Sequence, residues 1–209
     1  MKKNSRINKS LYLVLLLFLC SCLFSQETAK KLWVTSVEKT GTNEYSITLN
    51  DLIVIKEIKV KKTKIGQREI VNLEFPTYIS KRGKAYPQIT VLDKTLQERI
   101  IKAITTSTAE KPKEKVGEPN FKISKFSPYK QSRSSLRVFA SVVFEDSIEI
   151  ECKVMEGKRG PWISWPARKD ETTNKWVQQV SFSSKEYKKK VEQSLLSKYN
   201  VGKVESTEE

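Results

Sequence analysis

LRVFASVVFEDSIEIECKV, residues 136–154, alternates apolar and polar side chains on both sides of one polar pair. Leu136, Val138, Ala140, Val142 and Phe144 fall two apart, and so do Ile148, Ile150, Cys152 and Val154. A period of two puts such residues on one face of a half-buried strand. The break at Glu145-Asp146 is two residues long, so strand, polar pair, strand predicts a β-hairpin. The first half of the chain carries the same device. Tyr45, Ile47 and Leu49 alternate, Asn50-Asp51 interrupts, and Ile53 and Ile55 resume.

Working outward, both halves keep one order of elements. A short apolar segment opens each, Leu32-Trp33-Val34 and Phe121-Lys122-Ile123. A turn-rich stretch follows each hairpin, Thr63-Lys64-Ile65-Gly66 in the first half and residues 156–160 in the second. A short strand then ends at Pro76 or Pro166, and a polar basic loop and one more strand lead to a helix. Leu96, Ile100 and Ile104 draw one stripe along the first helix, and Tyr187, Val191 and Leu195 along the second. Asp93 suits the first N-cap. Ser183 or Ser184 suits the second, and Ser183 with Glu186 has capping-box spacing. The three stripe pairs lie 91 residues apart and the prolines 90, which points to an internal duplication.

The expected fold is therefore α+β: two tandem modules, each a small antiparallel β-sheet with a C-terminal α-helix. Module 1 spans 31–106 and module 2 spans 121–200. Residues 107–120 have linker composition, with two prolines, one glycine and almost no large apolar side chain. Residues 201–209 read as a disordered tail.

The N-terminus reads as a targeting segment. Lys2, Lys3, Arg6 and Lys9 precede the apolar run Leu11 to Leu19, and the composition then turns polar, the order of a secretory signal peptide over 1–26. Leu19-Cys20-Ser21-Cys22 resembles a bacterial lipobox with Cys22 as the acylated residue. The expected location is the cell envelope or periplasm, anchored as a lipoprotein; the bland alternative is an uncleaved N-terminal anchor.

The formal charge of the 209-residue chain is +15, and the leader holds only four of its positive charges. A body this basic favours anionic partners. Histidine is absent, which removes the commonest general base and a common metal ligand. Cys152 is the one cysteine outside the leader, so neither an intramolecular disulfide nor a structural zinc site is supported. Its alternation with Ile150 and Val154 makes it a buried small hydrophobe rather than a nucleophile. No Ser-His or Cys-His pairing and no glycine-rich phosphate loop is present. The chain is expected to be no enzyme and to need no cofactor and no metal.

Ala140 to Phe144, Ile148 to Val154, the glycine turn, and Trp162 to Lys169 together resemble the core of the SpoVG septation-regulator family. Pro166-Ala167-Arg168-Lys169 matches the family's Pro-x-Arg/Lys-Lys signature, and Leu195 to Tyr199 its terminal Leu-x-x-x-Tyr. The resemblance covers nearly all of 121–200. It is fainter over 31–106, where Pro76 and Lys81-Arg82 are the counterparts. Two departures stand out: Trp165 and Phe75 replace the usual methionine before the proline, and Gln178 to Ser181 replaces a His-Pro pair. The resemblance implies a small sheet with a C-terminal helix, usually dimeric, with roles in septation, cell division and sporulation control and in DNA or RNA binding.

The basic loops are the candidate anion site: Lys158 and Arg159 in the glycine turn, Arg168 and Lys169 after the proline, Lys81 and Arg82 in module 1, and Lys188, Lys189 and Lys190 on the second helix. Arg and Lys near aromatic residues suit phosphate contact with stacking. The bland readings are a solvated loop, the wet face of a helix, and core or dimer packing for Trp162, Trp165 and Trp176. Two functions follow. One is nucleic-acid binding by module 2. The other is an exported envelope lipoprotein with a structural or protein-interaction role, binding an anionic polymer, a lipid surface or a partner protein. The modules could pair as a pseudo-dimer, or whole chains as a homodimer.

Overall fold

The computed structural model describes residues 31–131 and 133–205. The leader, with the lipidation candidate Cys22, lies outside the described residues, as does 206–209. The first half runs β1 (Val34–Gly41), β2 (Glu44–Leu49), β3 (Ile53–Ile65), β4 (Arg68–Glu74), β5 (Thr77–Ile79), β6 (Ala85–Pro87), β7 (Ile89–Val91) and α1 (Lys94–Thr106). The second repeats the order: β8 (Phe121–Pro128), β9 (Leu136–Phe144), β10 (Ile148–Gly157), β11 (Gly160–Ser164), β12 (Ala167–Lys169), β13 (Trp176–Gln178), β14 (Val180–Phe182) and α2 (Lys185–Glu205). The architecture is the expected α+β one, with an antiparallel sheet and a following helix in each half.

The two polar pairs make the hairpin turns. Asn50 and Asp51 have φ of 51° and 57°, and Glu145 and Asp146 have 46° and 50°. Two positive φ values in a row define the type I′ turn, whose twist matches that of the strands it joins. Neither turn uses glycine, so each left-handed residue needs support. Asn50 donates its N–H to the Trp33 carbonyl at 3.0 Å and accepts the Trp33 N–H on Oδ1 at 2.7 Å. Glu145 does the same to Asn120 with its backbone N–H and its carboxylate.

The last strand of each half leaves its own sheet. β7 pairs antiparallel with β10 of the second half, Ile148 opposite Val91 and Ile150 opposite Ile89. β14 pairs with β3 of the first half, Ile53 opposite Phe182 and Ile55 opposite Val180. The exchange is reciprocal down to single bonds. Glu151 donates its N–H to the Gln88 carbonyl and Lys56 to the Gln179 carbonyl, both at 2.8 Å. Leu92 donates to Ser147, and Ser183 to Leu52, at 2.8 and 2.9 Å. Each exchanged strand is only three residues long, so few ladder bonds hold it. Ile89 and Val180 are buried, and burying such a side chain is worth about 1.5–3 kcal/mol, against about 1 kcal/mol net for a hydrogen bond. Each buried side chain therefore holds its strand more firmly than any one ladder bond does.

The helices close the core. α1 packs on β1, β4 and β7, and α2 on β10, β11 and β14, so each helix touches one strand lent to the other sheet. Leu96, Ile100 and Ile104, with Tyr187, Val191 and Leu195, are all buried in one apolar cluster that draws on both halves. The stripes read from the sequence are thus the buried faces. From Lys31 onward the chain forms one compact unit.

Of the two N-cap candidates the structure uses one, and two boundaries differ from the expectation. Ser184, not Ser183, caps α2: its Oγ accepts the Tyr187 N–H at 3.1 Å and donates to Glu186 at 3.0 Å. The Ser183 N–H is taken by the Leu52 carbonyl across the exchange, which sets the helix start one residue later. β3 runs through Ile65, past the turn expected from Thr63. Cross-strand pairs Lys61–Glu74 (2.6 Å) and Lys62–Glu69 (2.8 Å) flank the extension, and the chain reverses at Gly66 with φ 62°. α2 continues to Glu205, so 201–205 is helix rather than tail. The linker carries no helix or strand, but it is fastened to both halves. Glu110 accepts the Val34 N–H at 2.7 Å, Gly117 accepts from Asn50 Nδ2 at 3.3 Å, and Pro119 accepts from the Tyr187 hydroxyl at 2.8 Å.

Val191 is fully buried under α2. Val191→Asp places an unpaired charge there and is expected to cost about 3–5 kcal/mol, read as a lowered urea midpoint of the whole chain; an unchanged midpoint would mean that α2 does not pack as described.

Candidate nucleic-acid interface

The proline that ends each half's fourth strand redirects the chain into a two-stranded ribbon, β5–β6 after Pro76 and β12–β13 after Pro166. Both ribbons line one groove of about 940 Å³, whose walls mix Lys153, Arg168 and Lys169 with Glu44, Glu57, Glu74 and Glu171, beside Tyr78 and Trp176. A second groove of about 470 Å³ adjoins it on the outer face of the second sheet, sharing Lys153, Trp176 and Ala167. A third, about 320 Å³, holds Lys188 and shares Trp162, Trp165 and Gln178 with the second. The three adjoin one another, the first between the two halves and the other two chiefly on the second.

The candidate residues divide into three kinds. Arg168 is committed inside the molecule. Its Nε donates to Glu57 Oε1 at 2.6 Å, and Nη1 lies 3.5 Å from Asp170 Oδ2. The hydrogen bond to Glu57 raises the guanidinium pKa further. Asp170 is itself held low, first by the Thr173 N–H at 2.7 Å. Glu57 comes from β3 of the first half. Tyr45 pairs with Ile58 and Ile47 with Ile55, so Lys56 and Glu57 form a bulge, with Glu57 at φ 59°. Its second oxygen accepts Gln179 Nε2 at 2.7 Å. Arg168 thereby ties the ribbon of one half to the sheet of the other.

Lys188 and Lys190 are partly neutralised, Lys188 by Glu192 at 3.7 Å and Lys190 by Glu118 of the linker at 3.0 Å. Lys81, Arg82, Lys158, Arg159, Lys169 and Lys189 have no acidic partner within ion-pair distance among the described residues. Lys169 lines the ribbon groove. Lys158 and Arg159 occupy the β10–β11 turn, and Lys189 the first turns of α2; none of these three lines the grooves. Lys81 and Arg82 sit at the tip of the β5–β6 ribbon, away from the positions equivalent to Arg168 and Lys169. The ribbon registers give those positions to Tyr78 and Ile79, because Thr77 pairs with Pro87 as Ala167 pairs with Gln178.

Three further residues belong to the site that the motifs did not mark. Lys153 lies over the Tyr78 ring at 5.1 Å. Its outward place between Cys152 and Val154 is legible in the alternation. Tyr78 itself has no pattern to mark it. Glu57 has a faint signal, the consecutive polar pair Lys56-Glu57 between Ile55 and Ile58, which breaks the period of two.

The tryptophans separate. Trp165 is buried, stacks edge-on against Phe182 at 4.8 Å and donates its indole N–H to Glu192 at 2.9 Å. Trp162 and Trp176 are exposed. Cys152 is 3% exposed and is the register counterpart of Ile58 in the first sheet. Burial pushes its thiol up to about 12, with Glu192 and Glu151 adding to the shift. Among the described residues no cluster of acids and thiols could hold a metal ion.

An antiparallel sheet, a C-terminal helix and a two-stranded ribbon bordering open grooves define a small α+β module. Residues 120–201, in the second half of the chain, match the SpoVG family model. Neither a curated protein nor a solved structure matches the chain.

The Cys152 thiol is expected to resist alkylation in the folded chain at about pH 8.5, where a free thiol is half ionised, and to react once urea unfolds it. Rapid labelling of the folded chain, followed by mass spectrometry, would contradict the burial described.

Proposed function

We propose that the chain is a non-enzymatic, SpoVG-like regulatory protein that binds nucleic acid through the second half. One observation carries this reading: Lys153, Lys169 and Lys188 stand along a single run of grooves that also presents exposed aromatic rings. Cations along a groove track a phosphate backbone, and each contact releases a counterion. Arg168 of the family signature acts differently on this reading. It braces the ribbon against Glu57 and thereby positions Lys169 rather than meeting phosphate itself. The two exchanged halves stand in for the two subunits of a dimer, with the binding duty concentrated in the second.

The basic n-region and apolar run of residues 2–19 favour a second reading, an exported envelope protein that uses the same grooves for an anionic polymer. Cell fractionation separates the two.

Lys169→Ala combined with Lys188→Ala is expected to weaken binding of a DNA or RNA oligonucleotide and to flatten its salt dependence. The slope of log affinity against log salt should fall by about 0.7–0.9 per lost phosphate contact. Fluorescence anisotropy across a salt series checks this. An affinity that ignores both salt and these substitutions would leave the lysines as solvated surface.

A further inference from the structure

We infer that the groove on the outer face of the second sheet is a slot for an unpaired base, so that the ligand is single-stranded nucleic acid; this rests on the nucleic-acid reading above. The groove holds about 470 Å³, within the range of small-ligand sites. Trp162, Trp176, Phe139 and Met155 supply apolar wall, and Trp165 forms a floor that its bond to Glu192 keeps from swinging. Trp176 is 69% exposed and Trp162 46%. The Trp162 ring lies over Gly157, where a Cβ would come within 3.0 Å of it, so a side chain there would displace the ring. Ser164 and Gln178 line the groove and can bond to the edge of a base. Lys153 and, in the adjoining groove, Lys169 stand where the strand's phosphates would run.

The first half is an internal control. It builds the same sheet and ribbon, and its register gives the positions equivalent to Trp162, Trp176 and Phe139. They are Asn72 (opposite Lys61 as Trp162 is opposite Met155), Ala85 (opposite Ile79 as Trp176 is opposite Lys169) and Glu44 (opposite Lys59 as Phe139 is opposite Lys153). The fold therefore forms without aromatic side chains at these places. In the second half they line an open groove instead of filling the core. A base offers its π-face to such a wall only when it is unstacked, which a duplex prevents and a single strand allows.

The test uses the 209-residue chain, its tryptophan fluorescence and three probes: a single-stranded oligothymidylate of about 12 nucleotides, within the span of one stacking platform, a DNA duplex of equal length, and inorganic polyphosphate. The single strand is expected to quench the fluorescence and to bind more tightly than the other two. Trp176→Ala should weaken its binding roughly 5- to 100-fold while leaving polyphosphate binding unchanged. Trp176→Phe should restore much of the loss. If the duplex and polyphosphate bind as tightly as the single strand, and Trp176→Ala changes nothing, the slot is overturned while the anion-binding surface stands. If none of the three binds, the nucleic-acid reading falls and takes the slot with it.

Discussion

Glu151 and Lys56 each give their backbone N–H to a glutamine carbonyl of the opposite half, and the rest of the fold hangs on that reciprocal exchange. Without β14, the Ile53–Ile55 stretch of β3 would lose its partner on one edge. Without β7, β10 would lose its partner on one edge over Ile148–Ile150. Ile53, Ile55, Ile148 and Ile150 are all buried in the shared cluster, so an absent strand would open the core as well as a ladder. The helices add to the coupling, since each packs on its own sheet and on the strand that its half has lent away. Two halves that are each small for an independent core thereby stabilise one another. The linker is part of the arrangement too: Glu110 pairs with Arg99 of α1, and Glu118 with Lys190 of α2.

The same backbone carries two different surfaces. At the ribbons, the position of Arg168 in the second half belongs to Tyr78 in the first, and Lys153 reaches across to that tyrosine. The Glu57 bulge has no counterpart in β10, whose pairing with β9 runs unbroken from Ile148 to Val154. Arg168 therefore finds its carboxylate on the other half, and the asymmetry of one residue fixes the ribbon that presents Lys169. The aromatic side chains of the 470 Å³ groove likewise come from the second half alone. The exchange sets the shape of the molecule, and these local departures from symmetry set what its surface can hold.

Much of this is legible from residue patterns because burial imposes a period. Val138 to Phe144 and Ile148 to Val154 declare their strands, Asn50-Asp51 and Glu145-Asp146 their turns, and Leu96, Ile100, Ile104, Tyr187, Val191 and Leu195 their helical stripes. The partner of a three-residue strand is not written in its period. One more strand is expected before each helix, and nothing local says that the strands found there, Ile89–Val91 and Val180–Phe182, each cross to the other sheet. The candidate site is legible by type and not by pairing. The positive charge of Arg168 and Lys190 is plain, whereas Glu57 and Glu118, which take up that charge, lie 111 and 72 residues away in the chain. A family signature locates a residue without telling what it touches.

Amide hydrogen exchange in the folded chain tests the central claim most directly. If the exchanged strands hold the two halves as one unit, the N–H groups of Lys56, Glu151, Leu92 and Ser183 open only with the whole molecule. They should then exchange as slowly as the amides of the β9–β10 ladder, with the same dependence on denaturant. Rapid exchange at these four amides while β9–β10 stays protected would show that the halves hold themselves together without the crossing, and would contradict the account.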